Sequence, residues 1–88
     1  MASYRIAFKQ SVTKDLRPLP KRDVARILKR INSLVDNPRP PGCEKLSGQE
    51  RYRVRQGVYR ILYEIQDEEV VVTIVKVGHR RDVYKDRP

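Results

Sequence analysis

Arginine recurs at alternate positions in one short stretch of the sequence, Arg51 to Ile65, which reads RYRVRQGVYRILYEI. This stretch predicts two strands joined by a turn at Gln56-Gly57. Successive side chains of a strand point to opposite faces, so Arg53 and Arg55 share one face. Guanidinium groups hold phosphate oxygens through two parallel hydrogen bonds and stay charged at any ordinary pH. The stretch therefore predicts a phosphate site.

A two-residue turn at that position would place Arg53 opposite Arg60 and Arg55 opposite Val58. Like charges that face each other across paired strands oppose folding. A small domain that keeps such a pair is expected to bind an anion there. The other interpretation, in which the alternating arginines are only the solvated face of a half-covered sheet, stays open on the pattern alone.

Further candidates lie in the sequence HRRDVY, directly after the last predicted strand. Arg80 and Arg81 would bring more positive charge to the phosphate site. His79, the one histidine of the sequence, titrates near neutrality and is a candidate proton carrier, or simply a polar residue at a strand end. Tyr84 could donate a phenolic proton, stack on a base, or serve only as a packing anchor.

Composition limits the kind of protein that can carry such a site. The 88 residues suit a single domain, 1–88, and 20 Lys and Arg against 11 Asp and Glu give a net charge of +9. That charge favours nucleic acid, an anionic membrane surface or an acidic protein as the partner. The lone Cys43 excludes an intrachain disulfide and a Cys/His metal cluster. Neither a signal peptide nor a membrane span is recognisable, so we expect a cytoplasmic protein.

The elements that must position these side chains follow from hydrophobic periodicity and from proline. The pattern over Tyr4–Phe8 predicts a first strand. Ser11 is predicted to cap a short helix. A second helix is predicted to start at Pro20 and to end before Asn37-Pro38. A loop over Arg39–Gly48 precedes the arginine hairpin. The apolar stripe of the second helix consists of Val24, Ile27, Leu28, Ile31, Leu34 and Val35.

The last strand, Val70–Val77, is apolar at nearly every position, as expected of a strand inside a sheet. Gly78 would end it, and the charged tail after it could form one helical turn. The elements together predict an α+β domain of order β-α-α-β-β-β with a short C-terminal helical tail. The helices would cover one face of the sheet and leave the other face to the arginines.

Three segments resemble the RelE-type toxins of the RelE/ParE superfamily, which are ribosome-dependent mRNA endonucleases of toxin–antitoxin pairs. They are KLSG at Lys45–Gly48, the hairpin YRVRQGVYRILYEI, and VVTIVKVGHRRDVY. The resemblance implies a two-layer fold, with two N-terminal helices on one face of a four-stranded, mainly antiparallel sheet and the first strand beside the last. It also implies a cytoplasmic toxin with no metal, no other cofactor and no membrane partner.

The resemblance also implies a reaction, in which the ribose 2′-oxygen of mRNA in the ribosomal A site attacks the adjacent phosphate and leaves a 2′,3′-cyclic phosphate. The implied partners are the ribosome with its 16S rRNA, the mRNA, and a cognate RelB-like antitoxin. The residues at the positions of the family's catalytic groups are Arg53, Arg55, Arg60, Arg80 and Tyr84, with His79 as a candidate proton carrier and Arg51, Arg81 and Lys85 as RNA-binding residues.

One departure from the family concerns the base. The first two basic positions are often lysine, one of which takes part in proton abstraction, whereas Arg53 and Arg55 are arginines that do not deprotonate in proteins. His79, Tyr84 and a group of the RNA or ribosome stay open for this role. Two other functions also stay open, a ParE-like inhibitor of DNA gyrase without catalysis and a basic RNA-binding module. The full arginine set with Tyr84 favours the nuclease.

Overall fold

The computed structural model of the chain describes residues 3–46 and 50–80. Within these ranges lie two helices and five strands: β1 (Arg5–Phe8), α1 (Gln10–Leu16), α2 (Lys21–Ser33), β2 (Glu44–Lys45), β3 (Arg51–Gln56), β4 (Tyr59–Gln66) and β5 (Val71–His79). The strands form one sheet in the order β1-β5-β4-β3-β2. β1 runs parallel to β5, and the other neighbours are antiparallel. The predicted α+β class is confirmed, with β5 inside the sheet and β1 beside it.

The prediction of four strands is wrong by one strand, because the loop before the hairpin contains β2. Glu44 pairs with Arg53 and Lys45 pairs with Tyr52, both antiparallel. A strand of two residues shows no alternation that a sequence pattern could reveal. Its position at the edge of the sheet brings Glu44 next to β3.

One apolar core lies between the helices and the sheet. The sheet contributes Tyr52, Val54, Ile61, Tyr63, Ile65, Val72, Ile74 and Val77, and the helical layer contributes Val12, Ile27, Ile31 and Leu34. Because both helices supply residues to the same cluster, both cover the same face of the sheet, as predicted. The stripe predicted for α2 is buried at its centre, whereas Leu28 is 41% exposed. No helix in the described ranges is long and apolar enough to cross a bilayer.

The first helix begins at Gln10, one residue before the predicted cap, and no side chain caps it. It covers the edge of β5 beyond the end of β1. There the Asp15 carboxylate accepts a hydrogen bond from the Val77 N–H at 3.1 Å. A backbone group at the sheet edge is thus satisfied by a side chain of the helix.

A β-bulge in β5 decides which side chains at the end of this strand face the helices. The pairing of β5 with β4 shifts by one residue, and Val75 is the extra residue. Ile74 and Val77 therefore both face the core although they are three residues apart. The strand continues to His79, past the predicted end at Gly78. His79 lies two positions after Val77, which places it on the helix side of the sheet.

Candidate functional site

The turn of the β3–β4 hairpin is one residue later than predicted. Gln56 pairs with Tyr59, so the turn residues are Gly57 and Val58. Gly57 has a φ of 60°, which only glycine adopts without strain in most contexts. A glycine at the first central position is typical of a type II′ hairpin turn. This preference is the signal in the sequence that indicates the correct register.

The register of the hairpin sets which charges face each other. Arg55 lies opposite Arg60, and Arg53 lies opposite Leu62. The predicted Arg53–Arg60 pair is therefore wrong, and an Arg55–Arg60 pair takes its place. Neighbouring strands lie about 4.8 Å apart, so two guanidinium groups start from adjacent backbone positions on the same face.

The arginines point away from the core, as the alternation predicted. Tyr52 and Val54 are buried among the core residues of the sheet. Arg53 and Arg55 are the neighbours of these residues along β3 and so point to the opposite face. Since both helices lie on the core side, this face is not covered by the helical layer.

Arg60 is surrounded by positive charge. Its pKa is lowered from the ordinary value, first by partial burial and then by repulsion from Arg55, Arg53 and Arg80, while Glu44 acts in the other direction. The guanidinium still carries its charge at neutral pH. We call Arg53, Arg55, Arg60 and Arg80 the arginine cluster. Repulsion of this kind is relieved when an anion binds between the charges.

A backbone hydrogen bond holds Arg80 beside the hairpin. Arg80 follows β5 directly, and its N–H donates to the C=O of Val58 at 2.8 Å. Val58 is a residue of the hairpin turn, and the Gln56–Tyr59 pair separates the turn from the Arg55–Arg60 pair. The contact brings residues from distant parts of the sequence to one end of the sheet.

Sequence reasoning missed one member of the site, the carboxylate of Glu44. Its Oε1 accepts a hydrogen bond from Arg53 Nη2 at 2.6 Å. The pKa of Glu44 is lowered, first by this hydrogen bond and the charge of Arg53 and then by the charges of Arg55 and Arg60. Because β2 has no recognisable pattern, nothing in the sequence indicated that Glu44 would reach the cluster.

His79 directly precedes Arg80, but its side chain lies on the opposite face of the sheet from Arg55 and Arg60. Its ring packs edge-on against the ring of Tyr59, with the ring centroids 6.3 Å apart. The Tyr59 hydroxyl donates to the Asp23 carboxylate of α2 at 2.7 Å. The bulge in β5 turns this side chain to the helix side at the end of the strand, and the role of His79 as a proton carrier stays a prediction.

Of the remaining predicted residues, Arg51 shares a face of β3 with Arg53 but pairs with a glutamate, and the others lie outside the described ranges. Arg51 is at the other end of β3, and its Nη2 donates to Glu64 Oε2 at 2.8 Å. Arg81, Tyr84 and Lys85 belong to the part of the chain that the structure does not describe. The structure thus brings together four of the predicted arginines and adds Glu44 to them.

Known toxins of toxin–antitoxin systems are similar to this protein over nearly the whole chain. A family model described as the ParE toxin of type II toxin–antitoxin systems matches residues 6–84. Toxin RelG of Mycobacterium tuberculosis (strain H37Rv) is 34% identical over 86 residues, which cover 93% of this chain and 97% of the relative. The mRNA interferase toxin RelE of Escherichia coli K12 is 28% identical over 89 residues, which cover 96% of this chain and 93% of the relative.

A solved structure has the same fold. The RelE chain in the archaeal RelE–RelB complex from Pyrococcus horikoshii OT3 superposes with a TM-score of 0.80. It is 32% identical to this chain, and the match covers 89% of this chain and 96% of the other. The likeness therefore extends over most of the fold.

Proposed function

Because the chain belongs to the ParE toxin family of type II toxin–antitoxin systems, as a RelE-type member of the RelE/ParE superfamily, we propose that it is a toxin that cleaves mRNA on the ribosome. The arginine cluster on the sheet face that the helices do not cover is the observation that carries this proposal. The E. coli relative named as an mRNA interferase supports it. The proposed products are a 2′,3′-cyclic phosphate and a 5′-hydroxyl.

The proposed roles follow from where each guanidinium lies. Arg60 and Arg80 clamp the scissile phosphate, and Arg55 assists from the neighbouring strand. Negative charge collects on the phosphoryl oxygens in the transition state, and cations already fixed in place stabilise it without reorganisation. Arg53 differs from the other three in donating to Glu44, so it contributes charge to the cluster while it holds a carboxylate.

Protons are handled by other groups, since guanidinium groups do not deprotonate. The helix-side position of His79 speaks against a role for it. Tyr84 stays our candidate for donating a proton to the leaving 5′-oxygen. Arg51, Arg81 and Lys85 are proposed to bind RNA phosphates farther from the cut.

The proposed partners are the mRNA, the ribosome with its 16S rRNA, and an antitoxin. The Pyrococcus horikoshii relative was solved as a RelE–RelB complex. A net charge of +9 would speed association with an acidic or amphipathic antitoxin segment. Such a segment would neutralise the toxin by covering or distorting the arginine cluster.

Primer extension on an mRNA in a translation reaction tests the proposal. Wild-type protein should cut within codons when ribosomes are present and should not cut naked mRNA. Arg60→Ala and Arg80→Ala should each lower the rate by about a hundredfold or more, because each removes a charge that stabilises the transition state. Arg17→Ala, which removes an exposed charge after α1 on the helix side, is the matched control and should cut normally.

Near-wild-type cutting by both cluster variants would refute the assigned roles. A 2′-deoxy nucleotide at the cut site should stop the reaction, since it removes the proposed nucleophile. The description of the family model as a ParE toxin favours a second candidate function, inhibition of DNA gyrase without catalysis. Intact mRNA together with blocked DNA supercoiling would establish that function in place of the nuclease.

A further inference from the structure

The proposed cleavage needs a group that accepts the proton of the 2′-hydroxyl, and the arginine cluster contains none among its own members. Arginine does not accept protons under any ordinary condition. His79 packs against Tyr59 on the other side of the sheet. Among the carboxylates in the described ranges, Glu44 is the one whose pKa is lowered by Arg53, Arg55 and Arg60 together.

We propose that Glu44 is the general base of this reaction, a catalytic residue that accepts the 2′-hydroxyl proton. The inference rests on the nuclease function proposed above. Its basis is the 2.6 Å hydrogen bond from Arg53 Nη2 to Glu44 Oε1, which orients the carboxylate at the border of the cluster. Glu44 also pairs with Arg53 across β2 and β3, so its side chain lies on the same face of the sheet as Arg53 and Arg55.

The strand order gives the carboxylate the correct side for an in-line reaction. Arg60 is on β4, Glu44 is on β2 beyond β3, and Arg80 follows β5 on the other side of β4. In-line displacement requires the attacking and leaving oxygens on opposite sides of the phosphorus. When the scissile phosphate binds at Arg60, the attacking 2′-oxygen of the neighbouring ribose can therefore lie on the Glu44 side. The leaving 5′-oxygen then lies on the Arg80 side.

Two other glutamates show why Glu44 is singled out. Glu50 pairs with Lys45 at 3.1 Å, and its side chain is 71% exposed. Glu64 pairs with Arg51 at the end of β3 away from the hairpin turn. Both lie at the end of β3 away from the hairpin turn, whereas the Glu44 carboxylate lies in the field of three arginines, Arg53, Arg55 and Arg60.

The charges around Glu44 affect its basicity in two ways. They lower its pKa, which keeps the carboxylate ionised and ready to accept a proton at neutral pH but makes it a weaker base. The same charges lower the pKa of a 2′-hydroxyl that binds beside them. The arginines therefore favour the proton transfer by making the 2′-hydroxyl more acidic.

The step balances without another reactant. The O–H bond of the 2′-hydroxyl breaks and its proton moves to Glu44, while the 2′-oxygen forms a bond to phosphorus. The bond from phosphorus to the 5′-oxygen breaks, and this oxygen takes a proton from water. Glu44 then returns its proton to the solvent, which restores the carboxylate.

The test compares single-turnover cleavage of ribosome-bound mRNA by wild type, Glu44→Gln and Glu50→Gln. Both variants lose one negative charge from an ion pair near β2. A lost general base lowers the rate by about 10²–10⁴-fold. We expect that loss for Glu44→Gln with unchanged half-saturating toxin concentration, partial activity for Glu44→Asp, and the wild-type rate for Glu50→Gln.

Formate added to Glu44→Ala separates a base from a residue that merely positions Arg53, because a small carboxylate can replace the missing base in solution. Restored cutting supports the inference, and failure to restore it would assign Glu44 a positioning role and overturn the inference. Rates of Glu44→Gln within a few-fold of wild type would also overturn it, while the nuclease function would stand. A wild-type protein that leaves ribosome-bound mRNA intact would overturn both.

Discussion

Arg55 and Arg60 face each other across β3 and β4 at a position where folding alone would favour almost any other pair. Directly opposed like charges destabilise a sheet by a few tenths of a kcal/mol up to about 1 kcal/mol. The same repulsion from Arg55 is one cause of the lowered pKa of Arg60. This is the expected pattern where a charge is kept for function and not for stability.

The substitution Arg55→Thr should therefore separate stability from function. Threonine suits a strand and removes the opposed charge, so we expect the free energy of unfolding to rise by about 0.2–1 kcal/mol. Cleavage should fall because Arg60 loses its neighbour at the phosphate. Urea unfolding and primer extension measure the two effects. Lower stability together with unchanged cleavage would contradict this account of the pair.

At the scale of elements, the turn between β4 and β5 contains a strained residue. Val70 has a φ of 57°, a left-handed conformation that is unfavourable for a β-branched side chain. Its N–H donates to the C=O of Asp67, and its C=O accepts from the N–H of Arg5. These two bonds tie the turn together and connect it to β1, which explains why the conformation is kept.

Val70→Gly tests the strain directly. Glycine adopts this conformation freely, and the left-handed region costs other residues roughly 1–2 kcal/mol. Since glycine is also more flexible in the unfolded chain, we expect a net gain of up to about 1 kcal/mol in the free energy of unfolding. Thermal or urea unfolding would show it, and Val71→Gly inside β5 should be destabilising in the same assay.

The same turn is fastened to the loop after α2 by an ion pair. Arg39 Nη2 lies 2.9 Å from Asp67 Oδ2, and the Tyr4 hydroxyl donates to Asp67 Oδ1 at 2.8 Å. The Arg39 guanidinium also lies over the ring of Tyr52, 5.2 Å from its centroid. The pKa of Asp67 is lowered, first by the hydrogen bond from Arg39 and then by that from Tyr4.

A lowered pKa in the folded state gives this carboxylate a defined pH dependence. Its contribution to stability is present above its ordinary pKa of 3.8 and is lost as the pH falls through the lower folded value. Wild type should therefore lose more stability than Asp67→Asn between about pH 6 and about pH 3. Urea unfolding at several pH values measures the difference, and equal losses would show that ionisation of Asp67 makes no contribution to stability.

At the scale of the whole molecule, charge and shape act together. The chain carries a net charge of +9, and the sheet places the arginine cluster on the face opposite the helices. Basic groups that contact phosphates release counterions, so binding weakens with salt, with a slope of roughly −0.7 per phosphate contact for single strands.

The salt dependence of RNA binding should therefore show whether the arginine cluster contacts phosphates. A short single-stranded RNA with a 2′-deoxy nucleotide at the cut site can be titrated by fluorescence anisotropy at several salt concentrations. Arg60→Ala should reduce the salt slope by roughly 0.7, the value of one phosphate contact. An unchanged slope would mean that Arg60 makes no phosphate contact in this complex.

The sequence by itself determined which residues share a face. Arg53 and Arg55 were predicted to share the face that the helices leave uncovered, because strand alternation depends only on the chain itself, and Tyr52 and Val54 between them face the core. The stripe of α2 was predictable for the same reason, apart from Leu28, which is 41% exposed. The family resemblance, carried by local motifs, was confirmed as well.

Tertiary structure alone decided which side chains meet. The turn at Gly57-Val58 set Arg55 opposite Arg60, and the bulge at Val75 turned His79 to the helix side. β2 brought Glu44 to Arg53, although its two residues have no periodicity. Register, bulges and edge pairing depend on the fit between distant segments of the chain, and a local pattern holds no information about that fit.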